Sequence, residues 1–406
     1  MENYDQWLTW DFDRQLGWRR GVESLRANAK LGLNEADTGD DEWGDQAALQ
    51  ASLSVVAPVV ERLVPHFYER LFAANSSLRA MFPASMHDQH ERLLAALLAL
   101  VDGGADATRK RALLPRLEQL GRDHRKFGAR APHYASVGAA LIATLRHFAG
   151  PAWTAELEAA WLSRYSLAAR VMTAAADIDD SPPFWYATVV GHERRGDDVA
   201  VVHLRPRHHY AYRAGQHATI SSARLPRVWR PYAMATAPRP DQVLEFHIRA
   251  QGRGGLSDIL VNDTREGDTL RLGAPQGSAE LDPISDCAVL LVAGGTGWAP
   301  AQALLDALTV GRPPRRTHLV YATRHPGDAY DGRVLHQLDR VPPWLTVKIT
   351  NDSDSLTGGV PPVDVNPGGL DAFLTGPPDL IHVSHGRLTA AGVPDARIHK
   401  DSWLGA

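Results

Sequence analysis

Residues 113–127 read LLPRLEQLGRDHRKF, and this stretch decides the fold of the first half of the chain. Its apolar positions follow one another at intervals of four, three, four and three residues, the spacing of one face of an α-helix. The face consists of Leu113, Leu117, Leu120, His124 and Phe127. His124 is thus an imidazole on a face built by leucines. A neutral imidazole in such a place needs a strong partner, either a backbone carbonyl or a metal ion.

Three other predicted helices carry a polar side chain on an apolar face in the same way. Tyr68 lies among the apolar residues of one helix, Gln89 begins the apolar stripe of another, and Tyr134 begins that of a third. Each unsatisfied polar group in an ordinary core would cost about 1–3 kcal/mol. A pocket that holds a cofactor and a ligand removes this cost. The four side chains together therefore indicate a cofactor pocket between helices.

Residues 43–180 resemble the globin domain of the flavohemoglobins. The matching segments are residues 67–72 (FYERLF), 81–83 (MFP), 88–89 (DQ), 120–127 (LGRDHRKF) and 132–134 (PHY). The resemblance implies an all-α globin fold that binds haem b, with His124 as the axial ligand of the iron. It also implies that Tyr68 and Gln89 act in catalysis on the distal side of the haem, and that Tyr134 supports the histidine on the proximal side.

Length and composition set further limits. The 406 residues suit two or three domains, and 44% hydrophobic with 22% charged residues is typical of a soluble globular protein. Lys and Arg total 43 against 47 Asp and Glu, which gives no basic excess for nucleic acid. We expect no membrane span and no signal peptide. Cys287 is the single cysteine, which fits a reducing cytoplasm and excludes an internal disulfide. We therefore predict a cytoplasmic monomer that binds small molecules.

The chain changes character along its length. Residues 1–42 form an acidic extension with tryptophans, to which we assign no role, and residues 43–180 form the helical domain. Residues 177–183 are predicted to be a linker. In residues 184–283 apolar residues alternate between turns, which predicts an antiparallel β-barrel. In residues 284–406 a continuous apolar strand precedes a glycine turn and a helix from about Pro300, which predicts an α/β domain with a parallel sheet.

Two motifs in the barrel segment suit a flavin nucleotide. In residues 230–233 (RPYA), arginine can pair with a diphosphate, and the tyrosine lies on the same strand face to pack against a flat ring. In residues 254–257 (GGLS), backbone amides at a helix start suit a phosphate. With residues 212–217 (YRAGQH), these motifs resemble the FAD-binding domain of the ferredoxin reductase family. The resemblance implies FAD contacts from Gln216, Arg230, Tyr232, Ala233, Gly254, Gly255, Leu256, Ser257 and Trp403. Ala233 stands where that family has a serine that hydrogen-bonds the flavin.

The α/β segment carries a dinucleotide motif. Residues 294–300 (GGTGWAP) form a glycine loop at a strand-to-helix turn, where backbone can approach a pyrophosphate. Residues 374–378 (LTGPP) resemble the ferredoxin reductase segment near the nicotinamide, with Thr375 in place of cysteine. The resemblance implies NAD(P)H contacts from Gly294, Gly295, Thr296, Gly297, Pro300, Arg324, Thr375, Gly376 and Pro377. Arg324 follows the next strand, where arginine favours the 2′-phosphate of NADPH.

Together these resemblances imply a flavohemoglobin-type nitric oxide dioxygenase. NAD(P)H reduces FAD, FAD passes electrons to haem, and haem-bound oxygen converts nitric oxide to nitrate. The family supports its proximal histidine with a tyrosine and a glutamate. Here Ala176 takes the place of the glutamate beside Asp177, so either Asp177 substitutes after a one-residue shift or the support is weaker. Two other classes stay open. One is an oxygen-binding or sensing globin whose reductase keeps the iron ferrous, and the other is an NAD(P)H:FAD reductase for another acceptor.

Overall fold

The computed structural model describes residues 43–309, 314–323, 329–331, 343–350 and 367–400. The chain divides into two compact units, with the boundary between Pro183 and Phe184. The predicted extension, residues 1–42, lies outside the described residues. The domain limits 43–180, 184–283 and 284–406 stay predictions.

The described part of the first unit is helical, as predicted. Its α-helices are α1 (Gln46–Val56), α2 (Val60–Ala74), α3 (His87–Asp102), α4 (Ala107–His124), α5 (Ala131–Ala149) and α6 (Ala155–Asp177). Short 3₁₀ turns connect several of them, at Ala57–Val59, Ser76–Met81, Arg125–Phe127 and Gly150–Ala152. Helix α4 packs along α6, and α2 packs along α5. The helices α1, α4 and α6 begin after Asp45, Asp106 and Thr154, whose side chains accept hydrogen bonds from backbone amides of the first turn.

The buried face of α4 departs from the predicted stripe in one place. Leu113, Leu117 and Gly121 are buried, whereas Leu120 is 38% exposed. Helices α4 and α6 approach so closely here that a β-carbon on Gly121 would lie 2.1 Å from the carbonyl oxygen of Met172. The prediction that Leu120 lies on the buried face is therefore wrong, because glycine allows the two backbones to meet and turns the leucine aside.

One described stretch meets the length and composition criterion for a membrane span. Gln46–Ala74 has a mean hydropathy of 1.4 over 18 residues. Core helices of soluble proteins satisfy the same criterion. Here Leu49, Leu63 and Phe67 are buried in the core of the helical unit, and a 3₁₀ turn interrupts the stretch at Ala57–Val59. This stretch is therefore only weak evidence that the chain crosses a membrane.

The second unit begins with an antiparallel sheet. Its strands are β1 (Trp185–Arg194), β2 (Val199–Pro206), β3 (His217–Ser222), β4 (Arg230–Ala233), β5 (Leu244–Arg249) and β6 (Thr269–Leu272), in the order β4-β3-β6-β1-β2-β5. An isolated bridge between Met234 and Phe246 joins the two edge strands, so the sheet closes into the predicted barrel. Leu244, Phe246 and Ile248 alternate into its core. A short helix, α7 (Leu256–Asp258), follows β5.

The remainder of the second unit contains the predicted parallel sheet. Its strands are β7 (Ala288–Gly294), β8 (Thr317–Ala322), β9 (Leu345–Thr350), β10 (Leu370–Thr375) and β11 (Ile398–Lys400), in the order β11-β10-β7-β8-β9. The helices are α8 (Trp298–Leu308) and α9 (Pro378–Ala390), so α8 begins two residues before the predicted Pro300. Strand order reverses between β7 and β10. In open α/β sheets, ligands bind beyond the carboxyl ends of the strands at such a switch point.

The contact at Gly121 predicts a large effect from a small substitution. Gly121→Ala should lower the free energy of unfolding by about 2 kcal/mol or more, because the added methyl group overlaps the backbone of Met172. Calorimetry measures the change. Gly386→Ala on α9 is the control, since a β-carbon there meets nothing within 4 Å; it should stabilise slightly, as alanine favours helices. Equal effects of the two substitutions would contradict the packing argument.

Candidate functional site

His124 is the last residue of α4. Its Nδ1 lies 2.7 Å from the carbonyl oxygen of Leu120. Because a carbonyl only accepts, Nδ1 carries the proton and Nε2 carries the lone pair. Burial lowers the pKa of His124 below its ordinary value, so the ring is neutral near pH 7. A neutral imidazole oriented by a backbone carbonyl is the form in which histidine binds metal.

Tyr134 lies near His124, with 6.5 Å between the ring centroids. It belongs to the first turns of α5, and the hydroxyl of Tyr165 donates a hydrogen bond of 2.6 Å to its carbonyl oxygen. Burial, followed by the charge of Asp177, raises the pKa of Tyr134 to about 12. The phenol therefore stays protonated. The structure thus brings together the two predicted residues of the proximal side.

Asp177 is the last residue of α6 and is exposed, whereas Ala176 is half-buried and has no charge to offer. After burial, the charge of Asp177 is the second cause that raises the pKa of Tyr134. Because water and salt screen an exposed charge, its effect is weaker than that of a buried one. Whether Asp177 takes the place of the family's glutamate stays a prediction.

Tyr68 is buried on α2, and its hydroxyl donates a hydrogen bond to the backbone carbonyl of Gln89 at 3.3 Å. Burial raises the pKa of Tyr68 well above its ordinary value, so the hydroxyl remains a donor. A distance of 3.3 Å is long for a bond from a hydroxyl group. The bond that the hydroxyl donates is therefore weak, whereas the side chain of Gln89 also hydrogen-bonds this hydroxyl and acts to lower its pKa. The two predicted distal residues thus lie together.

His90 also contacts Tyr68, and sequence reasoning missed it. The two rings stack with centroids 5.4 Å apart and planes 20° apart. Phe72 and Phe82 contact the same tyrosine ring from other sides, at 5.8 Å and 5.6 Å. His90 follows Gln89 and lies off the apolar stripe of α3, so periodicity gave no reason to select it. The available signal was the polar run of residues 87–90 at the start of that helix.

In the barrel, Arg230 and Tyr232 lie two residues apart on β4, where they pair with Ile220 and Ala218 of β3. Residues at this spacing share a strand face. Burial raises the pKa of Tyr232 well above its ordinary value. Ala233 is buried beside them. Trp403, the predicted aromatic partner near the carboxyl terminus, lies outside the described residues.

The side chain of Gln216 is engaged within the protein. Its Oε1 accepts from the amide of Arg213 at 2.9 Å, and its Nε2 donates to Glu280 at 2.8 Å. The backbone of Gln216 is engaged as well, since its amide donates to the carbonyl of Arg213 and its carbonyl accepts from the amide of Met234, both at 3.2 Å. The FAD contact of Gln216 stays a prediction.

The glycine turn before α7 has an open side. Gly254 has a φ of +66°, and a β-carbon on Gly254 or Gly255 would meet nothing within 4 Å. Asp258 accepts hydrogen bonds from the amides of Gly252, Arg253 and Gly255 at 2.8–3.0 Å. Burial acts to raise the pKa of Asp258, but these bonds outweigh it and hold the pKa below the ordinary value. Since the amide of Gly255 is used here, the amides of Gly254, Leu256 and Ser257 are the better candidates for a phosphate.

The dinucleotide loop lies at the switch point of the parallel sheet. The Thr375 hydroxyl donates to the carbonyl oxygen of Gly297 at 2.8 Å, and a β-carbon on Gly297 would lie 2.6 Å from the amide nitrogen of Gly376. Gly295 has a φ of +54° and an open side. The structure therefore brings together the following predicted residues: Gly294, Gly295, Thr296, Gly297, Thr375, Gly376 and Pro377.

Two further residues, Pro300 and Arg324, are predicted to contact the nucleotide, and the structure describes only the first. Pro300 is buried in the first turn of α8, directly after the loop. Arg324 lies outside the described residues, so the preference for NADPH stays a prediction.

Comparison with known proteins identifies relatives for both units. The globin family model matches residues 65–172, and the model of the oxidoreductase FAD-binding domain matches residues 187–281. The flavohemoprotein of Bordetella parapertussis is 31% identical over 305 residues, which cover 69% of this chain and 75% of that protein. The flavohemoprotein of Chromobacterium violaceum is 26% identical, and the match covers 87% of this chain and 96% of that protein.

A solved structure has the same fold. The flavohemoglobin of Malassezia yamatoensis, determined with bound FAD and heme, aligns with a TM-score of 0.68 at 20% identity. The alignment covers 88% of this chain and 97% of that one. It supports the predicted order of a helical domain, an antiparallel barrel and a parallel-sheet domain.

The position of Asp177 leads to a test of the proximal side. Asp177→Asn should lower the pKa of Tyr134 from about 12, because the negative charge that disfavours phenolate is removed. The pKa should stay above its ordinary value, since burial remains. Carbon-13 NMR of ζ-labelled tyrosine measures it in an alkaline titration. Asp180→Asn, at a second exposed carboxylate nearby, is the control, and an equal shift in both variants would contradict a specific effect of Asp177.

Proposed function

The chain belongs to the flavohemoprotein family, and on this premise we propose that it oxidises nitric oxide to nitrate with oxygen and electrons from NAD(P)H. Family membership rests on 31% identity to a relative of which the chain covers 75%. It makes the chain an NAD(P)H-dependent oxidoreductase that combines a globin domain with an FAD-binding reductase domain. When bound, haem supplies an iron that takes up oxygen, and FAD accepts a hydride and passes on single electrons.

The residues of the helical unit fit a haem. Axial ligation needs one neutral imidazole with an available Nε2. His124 provides it, because its Nδ1 bond to Leu120 selects this tautomer and burial keeps the ring uncharged. Within the described residues, no group of three or more His, Cys, Asp or Glu side chains is placed to bind a bare metal ion. Ligation of a porphyrin metal by a single histidine is therefore the metal chemistry that this unit suits.

The observation that carries the proposal is the Tyr68 hydroxyl. It is buried, it remains protonated, and its bond to the Gln89 carbonyl is long at 3.3 Å. A hydroxyl held so weakly can donate to a better acceptor, and an oxygen atom that gains negative charge is such an acceptor. Stacking by His90, Phe72 and Phe82 keeps the ring in place while the hydroxyl changes partner. On this basis we assign to Tyr68 and Gln89 the role of contacting the bound oxygen.

The second unit would hold the electron-transfer cofactors. We assign Arg230, Tyr232 and Ser257 to FAD, because β4 carries a charge and a flat ring surface and the turn before α7 offers glycines with an open side. We assign the loop of residues 294–297 and its partner Thr375 to NAD(P)H. Their position at the β7–β10 switch point supports this assignment.

One observation favours a second candidate function. Because Asp177 is exposed, the electrostatic support that it gives to Tyr134 is weak. A protein with weak proximal support suits oxygen binding, with the reductase keeping the iron ferrous. Slow nitrate formation combined with tight oxygen binding would identify this function.

Removal of the axial histidine should separate the two cofactors. His124→Ala should lose haem and keep FAD, because the two sets of residues lie in different units. The haem-to-flavin ratio of the purified protein measures this from absorbance. His87→Ala removes an exposed histidine and should keep both cofactors. Normal haem absorbance in His124→Ala would overturn the assignment.

Tyr68→Phe removes only the hydroxyl. Oxygen should then dissociate from the reduced protein about 10- to 100-fold faster, the loss expected for a hydrogen bond to a charged acceptor. Nitric oxide consumption at limiting oxygen should fall in parallel. Reduction of ferricyanide by NAD(P)H should not change, since it needs only FAD.

Tyr186→Phe, at an exposed tyrosine of the barrel, is the control for the loss of a phenol. Stopped-flow spectroscopy gives the dissociation rates. If Tyr68→Phe and wild type release oxygen at the same rate, Tyr68 is an ordinary core residue. If wild type reduces ferricyanide but consumes no nitric oxide, the protein is a reductase for another acceptor.

A further inference from the structure

The second unit contains a polar cavity of about 160 Å³ that none of the cofactor motifs uses. Barrel residues His203, Glu245 and His247 line it on one side. Gln302 of α8 and Asp331 line it on the other. The cavity therefore lies where the barrel strands meet the helix that begins at the dinucleotide loop.

Glu245 is the centre of this cavity's hydrogen bonds. Its Oε1 accepts from His247 Nε2 at 2.9 Å and from Gln302 Nε2 at 3.0 Å. Its Oε2 lies 3.4 Å from Nε2 of His203. Burial acts to raise the pKa of Glu245, but the bonds from the two histidines outweigh it and hold the pKa far below the ordinary value. Glu245 is therefore an ionised carboxylate with donors on both oxygens.

His247 extends the network to a second element. Because a carboxylate only accepts, His247 donates from Nε2 and must accept at Nδ1 if it is neutral. The hydroxyl of Tyr330 lies 2.6 Å from this Nδ1. Burial raises the pKa of Tyr330 well above its ordinary value, so the hydroxyl is a donor. The Glu245 carboxylate is thus connected by hydrogen bonds to α8 through Gln302 and to residues 329–331 through His247.

Helix α8 is tied to the barrel side a second time. Trp298 Nε1 donates to Asp331 at 3.3 Å, and Asp331 lies 3.4 Å from Nε of Arg195, in the turn after β1. Trp298 and Gln302 are four residues apart and share one helix face. The first two turns of α8, which directly follows Gly297, are therefore fixed at two points on that face.

We propose that Glu245 is a positioning residue for nucleotide binding, which holds the loop of residues 294–297 through Gln302 in the orientation that accepts the NAD(P)H pyrophosphate. The inference rests on the nucleotide site of the proposed function. A buried ionic network is poor evidence for stability alone, because apolar residues of the same volume often stabilise as well or better. Its directional bonds instead select one orientation of α8 against the barrel. Since FAD is assigned to the barrel and the pyrophosphate to the loop, this orientation sets how the two nucleotides meet.

A double-mutant cycle on the full-length, FAD-loaded protein tests the proposal. Gln302→Leu keeps the size of the side chain and removes its bond to the carboxylate, and Glu245→Gln keeps the shape and removes the charge. Each should raise the KM for NADH and for NADPH about 10-fold, the effect of losing one hydrogen bond to a charged group, while kcat for ferricyanide changes less than about 2-fold. The double variant should be no worse than the worse single variant, because both act through one bond.

Asp198→Asn is the matched control, since this carboxylate, directly before β2, pairs with Arg249 at the end of β5 and lies outside the cavity lining. It should leave both KM values unchanged. An unchanged KM in Gln302→Leu, or additive effects of the two substitutions, would overturn the proposal. If Glu245→Gln fails to fold, Gln302→Leu alone decides. Because the assay needs only FAD and nucleotide, a wild type that consumes no nitric oxide would refute the proposed function and leave this inference standing.

Discussion

The backbone contact between Gly121 and Met172 is the constraint on which the helical unit depends. It lets α4 lie directly against α6, and it fixes the rotation of the last turn of α4. That rotation turns Leu120 outwards while its carbonyl holds Nδ1 of His124. A side chain at residue 121 would separate the helices and move the imidazole with them. The position of His124 beside Tyr134 therefore depends on the missing side chain at Gly121, one residue beyond the middle of the stripe.

The second unit relies on the same physical device. Gly297 lies against the backbone of Gly376, so the loops after β7 and β10 touch at the switch point of the sheet. Thr375 then uses its hydroxyl to hold the Gly297 carbonyl. The residue that departs from the reductase family thus has a defined role in this chain, because it braces the dinucleotide loop. Glu245 accepts a hydrogen bond from Gln302 on α8, the helix that continues from this loop. The loop is thus held by Thr375 at the end of β10 and, through α8, by Glu245.

Buried polar groups in both units keep a defined protonation state. Burial keeps Tyr68, Tyr134 and Tyr330 protonated, whereas hydrogen bonds from histidines keep Glu245 ionised in spite of burial. In a medium of low polarity, the orientation of the hydrogen-bond partner decides whether a buried group is protonated or ionised. The exposed Asp177 shows the contrast, since solvent and salt screen the effect of its charge on Tyr134. The screened charge of Asp177 therefore acts on its neighbour more weakly than the buried hydrogen bonds act on Glu245.

The sequence by itself determined the order of three architectures and most of the candidate site, because helical and strand periodicity, glycine turns and polar intrusions such as His124 are local properties of the chain. The sequence could not determine which helix or strand packs against which face of another element. Leu120 was misplaced since the close approach at Gly121 depends on a helix about fifty residues away. His90 was missed because ring stacking leaves no period in the sequence. The Glu245 network joins β2, β5, α8 and residues 329–331, and only the tertiary structure brings these segments together, because hydrogen bonds between distant elements form after the elements themselves have packed.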